Sequence, residues 1–173
     1  MKKLFILALT LLFLIPLART AFAAPAREMM PNIATKAAVK MTRLSFKGTT
    51  QSNETYVTVF PTMSGTASGS GNATQLGQFT ITYEVEMNLM DLSTIESVRF
   101  VGTNGDTLSA EGIGQATENR TPGMLNLVEI YRITGGTGRL AGASGTITLN
   151  RLVSLTTGAA ASSFEGYILI PWK

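Results

Sequence analysis

The sequence predicts an all-β fold, a single antiparallel barrel of about eight strands preceded by a signal peptide and a short flexible leader. Three observations carry this. From Leu44 onward apolar and polar residues alternate with the two-residue period of strands, and no segment after Met41 carries a helical period. The alternating segments are bounded by Gly, Asn, Pro and Ser, which leaves room for tight turns but not for crossover helices. Glycines also fall inside the strands, at Gly65, Gly69, Gly71, Gly112, Gly114 and Gly166, where a strongly coiled sheet needs bends that side chains would obstruct.

Residues 1–23 read as a secretory signal of bacterial style. Lys2 and Lys3 precede an apolar run from Leu4 to Leu17, and Ala21-Phe22-Ala23 supplies the small-x-small cleavage site. The run is too short for a membrane-spanning helix, and no other segment approaches the ~20 apolar residues that a span needs. No cysteine follows for a lipid anchor. The expected location is secreted or periplasmic. Residues 24–41 contain Pro25 and Pro31 without a clean period and read as the leader, and residues 42–173 form the barrel domain.

Strand candidates within that domain are Arg43–Thr49, Tyr56–Phe60, Met63–Ser70, Gln78–Leu89, Ser97–Val101, Thr107–Thr117, Met124–Thr134, Gly145–Leu152 and Phe164–Ile170. The clearest is Gln78–Leu89. There Phe79, Ile81, Tyr83, Val85, Met87 and Leu89 alternate with polar neighbours, which marks a sheet with one buried and one wet face. Gly69–Thr74 and Gly112–Thr117 echo each other ahead of two long strands, and read as two similar hairpins rather than a repeat.

Charge and chemistry exclude several function classes. Three of the fourteen basic residues, Lys2, Lys3 and Arg19, lie in the signal, leaving eleven against eleven acidic residues. A basic footprint for nucleic acid is therefore absent, and near-neutrality is compatible with self-association. The chain has no cysteine and no histidine. That removes disulfides, structural zinc sites and the histidine- and cysteine-dependent nucleophilic systems, and leans the reading away from an enzyme. No metal and no cofactor is expected.

Gly136-Thr137-Gly138-Arg139-Leu140-Ala141 formally matches a dinucleotide fingerprint, but the next element is a strand, where the phosphate site needs a helix N-terminus. The glycines Gly135, Gly136, Gly138, Gly142 and Gly145 are instead those of a structural hairpin. Asn53, Asn72 and Asn119 open N-x-T triplets of the kind that Thr- and Asn-rich loops generate by chance.

The run ITGGTGRLAGASGTITL, preceded by VEIYR and followed later by SFEGYI, resembles the glycine-rich hairpin and closing strand of the allene oxide cyclase and dirigent-like β-barrel superfamily. The resemblance implies a closed barrel, often trimeric, with an apolar cavity; a homo-oligomer, trimer or dimer, is the corresponding expectation. The active-site residues of the plant enzymes do not map onto this chain, and no catalytic role is carried over.

Strand parity supplies the site candidates. Glu129 falls on the apolar side of Leu125, Leu127, Tyr131 and Ile133, and Arg151 on the apolar side of Ile147, Leu149 and Val153. These strands flank the hairpin, so two inward charges should pair or line a wet cavity, unless a bulge shifts the parity and leaves both solvated. Tyr131, on the same strand as Glu129, is a further ligand-binding candidate, and Tyr83, Glu165 and Tyr167 are candidates at a barrel mouth, with rim or core packing as the plainer role for the aromatics. The expected function is a barrel that binds a small apolar or amphipathic ligand or acts as a non-catalytic scaffold. The first alternative is a cyclase or isomerase of the allene oxide cyclase type, working without metal, His or Cys chemistry. The second is an outer-membrane barrel, disfavoured by short strands and the lack of aromatic girdles.

Overall fold

The computed structural model describes residues 40–172, so the expected signal and leader lie outside the described residues apart from Lys40 and Met41. Eight strands succeed one another, β1 (Met41–Val59), β2 (Thr62–Ala73), β3 (Gly77–Asn88), β4 (Ser93–Gly102), β5 (Thr107–Glu118), β6 (Met124–Gly136), β7 (Ser144–Ser154) and β8 (Ala159–Pro171). Each pairs antiparallel with the next, and β1 pairs with β8, closing the barrel with no free edge.

The nine sequence segments become eight strands because Arg43–Thr49 and Tyr56–Phe60 are two ends of one 19-residue strand, β1. The polar stretch between them looks like a turn in the sequence. It is continuous strand with Thr50, Ser52 and Glu54 buried on the inner face, so the alternation continues with polar residues inside.

Two apolar layers fill the barrel. Toward the end where β1 begins and β8 finishes, Phe46, Phe79, Phe100 and Phe164 pack with ring centroids 5.1 to 6.2 Å apart, joined by Leu108, Ile133, Leu140 and Ile168. Toward the opposite end, Met63, Met87, Ala116, Leu125, Leu127 and Val153 form a second, smaller cluster.

The Ile133–Gly145 hairpin forms as expected, with a short 3-10 turn, Gly138–Leu140, between β6 and β7. Gly138 has φ of +61°, and a Cβ there would collide with Asp106 Oδ1. That close approach lets Asp106 accept the Arg139 backbone N–H at 3.1 Å and its Nε–H at 2.6 Å. These hydrogen bonds hold the Asp106 carboxyl below its usual range.

Strand length does not argue against an outer-membrane barrel as the sequence suggested, since the strands run from 10 to 19 residues. Burial does. The outer wall exposes Lys47, Glu84, Glu86, Arg99, Glu111 and Arg132 in mid-strand positions, where a lipid-facing barrel needs an apolar band. Among the described residues no helix is long and apolar enough to cross a membrane.

Candidate functional site

Between the two apolar layers sits a buried polar cluster centred on Arg151. Its Nη1 donates to Glu54 Oε1 at 3.3 Å, and its Nη2 donates to Glu96 Oε1 at 2.6 Å and to Glu129 Oε1. The residues come from β1, β4, β6 and β7, so one guanidinium gathers three carboxyls from around the barrel. Arg151 is 4% exposed and Glu129 0%. Such a set is held together only because each member has a partner, since an isolated charge here would cost several kcal/mol.

Three phenols complete the network. Tyr56 and Tyr83 both donate to Glu54, Tyr131 donates to Glu96, and Ser52 Oγ lies 2.9 Å from Tyr83 OH. The guanidinium carbon of Arg151 stands 4.9 Å from the Tyr83 ring centroid, adding a cation–π contact. Burial pushes all three phenols above their ordinary pKa, so they remain protonated donors. Burial alone would lower Arg151, but the surrounding carboxyls of Glu96, Glu129 and Glu54 carry it upward, and it stays charged. Burial, and next the neighbouring Glu96 carboxyl, push Glu129 up to about 10, so Glu129 holds its proton at neutral pH.

Glycines make room for these side chains. A Cβ on Gly112 would come within 2.6 Å of the Tyr131 ring, one on Gly114 within 2.6 Å of Glu129 Cγ, and one on Gly65 within 2.7 Å of Tyr56. The sequence offered these glycines as signs of coiling. Each also lies where a bulky cluster residue crosses the neighbouring strand.

Parity brings Glu129, Tyr131, Arg151 and Tyr83 together inside the barrel. Glu165 and Tyr167 are not brought there. They alternate with inward Phe164 and Ile168, so they stand on the outer wall, where Tyr167 stacks under Arg43 at 4.1 Å. Glu54, Tyr56 and Glu96 are the cluster members that sequence reasoning missed. The signal for Glu96 is its alternation with Thr94, Val98 and Phe100, just ahead of the segment Ser97–Val101 that the hydrophobic pattern marks as strand.

A small recess enters from the end carrying the β1–β2, β3–β4, β5–β6 and β7–β8 loops. It has space of about 10 Å³, roughly enough for one water centre. Met63, Met87, Leu125 and Val153 form its walls, and it reaches Glu54 and Arg151 of the cluster. Its volume is far below that of the apolar cavity that the superfamily resemblance implies.

The fold and cluster together define a closed eight-stranded β-barrel with a tyrosine-, glutamate- and arginine-lined interior. Among solved structures this fold is dirigent-like. The pterocarpan synthase dirigent protein GePTS1 superposes with a TM-score of 0.54 at 15% identity, over 87% of this chain and 100% of that one. The pterocarpan synthase dirigent protein PsPTS1 gives a TM-score of 0.52 at 14% identity, over 78% of this chain and 97% of that one. No family model matches the sequence. No curated protein matches it either.

Proposed function

We propose that this protein is an exported, non-catalytic barrel that binds a small amphipathic molecule at the loop end recess. The observation that carries this reading is the recess itself, with apolar walls of Met63, Met87, Leu125 and Val153 leading to the Glu54–Arg151 network. An apolar body would displace the unbranched methionine side chains, which repack at low cost, and a polar end would meet buried hydrogen-bonding groups. Export is inferred from the signal-like residues 1–23 and is checked by osmotic-shock fractionation, with the protein expected in the periplasmic fraction or the medium.

Native mass spectrometry and thermal shift with medium-chain alcohols, amines, fatty acids and phenolics test the binding reading. At least one class is expected to raise Tm in a saturable manner. No binding from any class would leave the scaffold role alone.

One observation favours the cyclase or isomerase reading as an alternative. Glu129 holds its proton at neutral pH in a water-poor cluster, the state that a general acid requires. Turnover of a defined substrate that disappears in Glu129→Gln would support it, and equal turnover would remove Glu129 from any such role.

Self-association finds support on the outer wall. Ile95, Ile113 and Ile130 sit directly opposite one another on β4, β5 and β6, and each is more than half exposed. Analytical ultracentrifugation of the wild type and of Ile113→Lys tests whether this row joins copies of the chain.

A further inference from the structure

We infer that the polar end of the ligand is an uncharged oxygen, a carbonyl or a hydroxyl, that accepts the Nε–H of Arg151 where the recess meets the buried cluster. This rests on the binding reading above and names the chemistry of its head group. Three buried polar atoms lack a hydrogen-bond partner among the described residues, Thr94 Oγ1, Glu129 Oε2 and Arg151 Nε. Only Arg151 among these residues lines the recess. Glu129 Oε2 belongs to the carboxyl that keeps its proton, and Thr94 stands beside Glu129 at Gly114.

Arg151 commits its two terminal nitrogens to the cluster. Nη1 donates to Glu54, and Nη2 donates to Glu96 and Glu129. Nε is the guanidinium nitrogen nearest the β7 backbone. Leu127 on β6 pairs directly with Arg151, and Val153 is the next inward residue of β7; both are walls of the recess. Arg151 is buried and its N–H is permanent, so an acceptor at the recess would meet a donor that the protein itself leaves unused.

The remaining polar lining selects against charge. Besides Arg151 it consists of Glu54 and Tyr56. Both oxygens of Glu54 already accept, from Tyr56, Tyr83 and Arg151, so an ammonium would find no unused carboxylate oxygen there and would face the guanidinium. An anion would satisfy Nε but would meet Glu54 and Glu96, which accept at both of their oxygens as carboxylates do and outnumber the single cation. A neutral oxygen takes the N–H without adding charge to a desolvated interior. A carbonyl brings no hydrogen of its own, and a hydroxyl can donate its hydrogen to the Tyr56 oxygen.

Size agrees with a small head group. The open space of about 10 Å³ is roughly that of one oxygen atom, and the apolar tail enters as the flexible Met63 and Met87 side chains swing aside.

The test follows the Arg151 Nε–H resonance of the full chain, carrying isotope-labelled arginine, at pH 7 during titration with methyl pentyl ketone, n-hexanol, n-hexylammonium and n-hexanoate. The two neutral probes are expected to bind about tenfold more tightly than either ion and to move the Nε–H proton downfield in a saturable manner. Arg151→Lys puts a methylene in place of Nε and is expected to lose that preference. Should the variant fail to fold, the wild-type resonance decides the matter. Three results overturn the assignment and leave the binding reading standing: an ion that binds as tightly as the ketone, neutral probes that bind without moving Nε–H, or a water cross-peak at Nε–H that persists at saturation. No binding by any of the four overturns both.

Discussion

Arg151 on β7 reaches Glu96 on β4, Nη2 to Oε1 at 2.6 Å, although the two strands are not neighbours in the barrel. The same guanidinium meets Glu54 on β1 and Glu129 on β6. Backbone ladders fix each strand only to its neighbours, so this cluster adds a tie across the interior.

Removing the centre of that tie should be costly. Arg151→Met leaves three buried carboxyls without their cation and is expected to destabilise the fold by about 3–5 kcal/mol, read from urea unfolding midpoints. Combining it with Glu54→Gln, Glu96→Gln and Glu129→Gln should recover most of the loss, because a neutral interior has no unpaired charge to desolvate.

The proton on Glu129 makes stability depend on pH with a definite sign. Its folded value of about 10 lies above the ordinary 4.5, so between these values the folded state keeps a proton that the unfolded state releases. Stability contributed by this group is fully present below pH 4.5 and is lost as pH rises toward 10. The slope approaches about 1.4 kcal/mol per pH unit at most. Glu129→Gln carries no such proton, so its stability relative to wild type should increase steadily from pH 5 to pH 9 in parallel urea titrations. Curves that stay parallel would contradict the assignment.

Gly114 is required by the side chain opposite. Gly114→Ala places a methyl 2.6 Å from Glu129 Cγ and 3.1 Å from Val128 O, and is expected to cost about 1–3 kcal/mol. Glu129→Ala removes the clashing Cγ, so the double variant should show a coupling above about 0.5 kcal/mol in a thermodynamic cycle. Strict additivity would place the strain elsewhere.

Asp106 organises the glycine hairpin from the neighbouring β4–β5 loop. Asp106→Ala removes the acceptor of the Arg139 N–H and of its guanidinium, and should lower Tm and speed amide exchange at Arg139 while leaving exchange at Tyr131 unchanged. Because partner hydrogen bonds hold this carboxyl low, its contribution is present at neutral pH and fades as the medium becomes acid.

Strand parity alone is enough to bring Glu129 and Arg151 inside, since each interrupts an otherwise apolar face and the hairpin makes their strands neighbours. The antiparallel sheet and the glycine hairpin come from equally local signals. Glu54 is hidden because Thr50, Ser52 and Glu54 face inward where apolar residues are expected, and only closure of the barrel around Arg151 makes that burial tolerable. Glu96 lies at the start of a strand whose hydrophobic alternation begins later, so its partner is visible only in three dimensions. Glu165 and Tyr167 illustrate the reverse. They resemble site residues by type, but Phe164 and Ile168 take the inward positions and leave them outside.

The claim that this interior receives a ligand is tested most directly by methyl NMR of Met63 and Met87 during titration with the amphiphile that raises Tm most among the alcohols, amines, fatty acids and phenolics. Saturable shifts of both methyls, absent from methionines outside the recess such as Met90, are the predicted result. Unshifted Met63 and Met87, or changes confined to the outer-wall Ile95, Ile113 and Ile130 row in a parallel isoleucine-labelled sample, would contradict it.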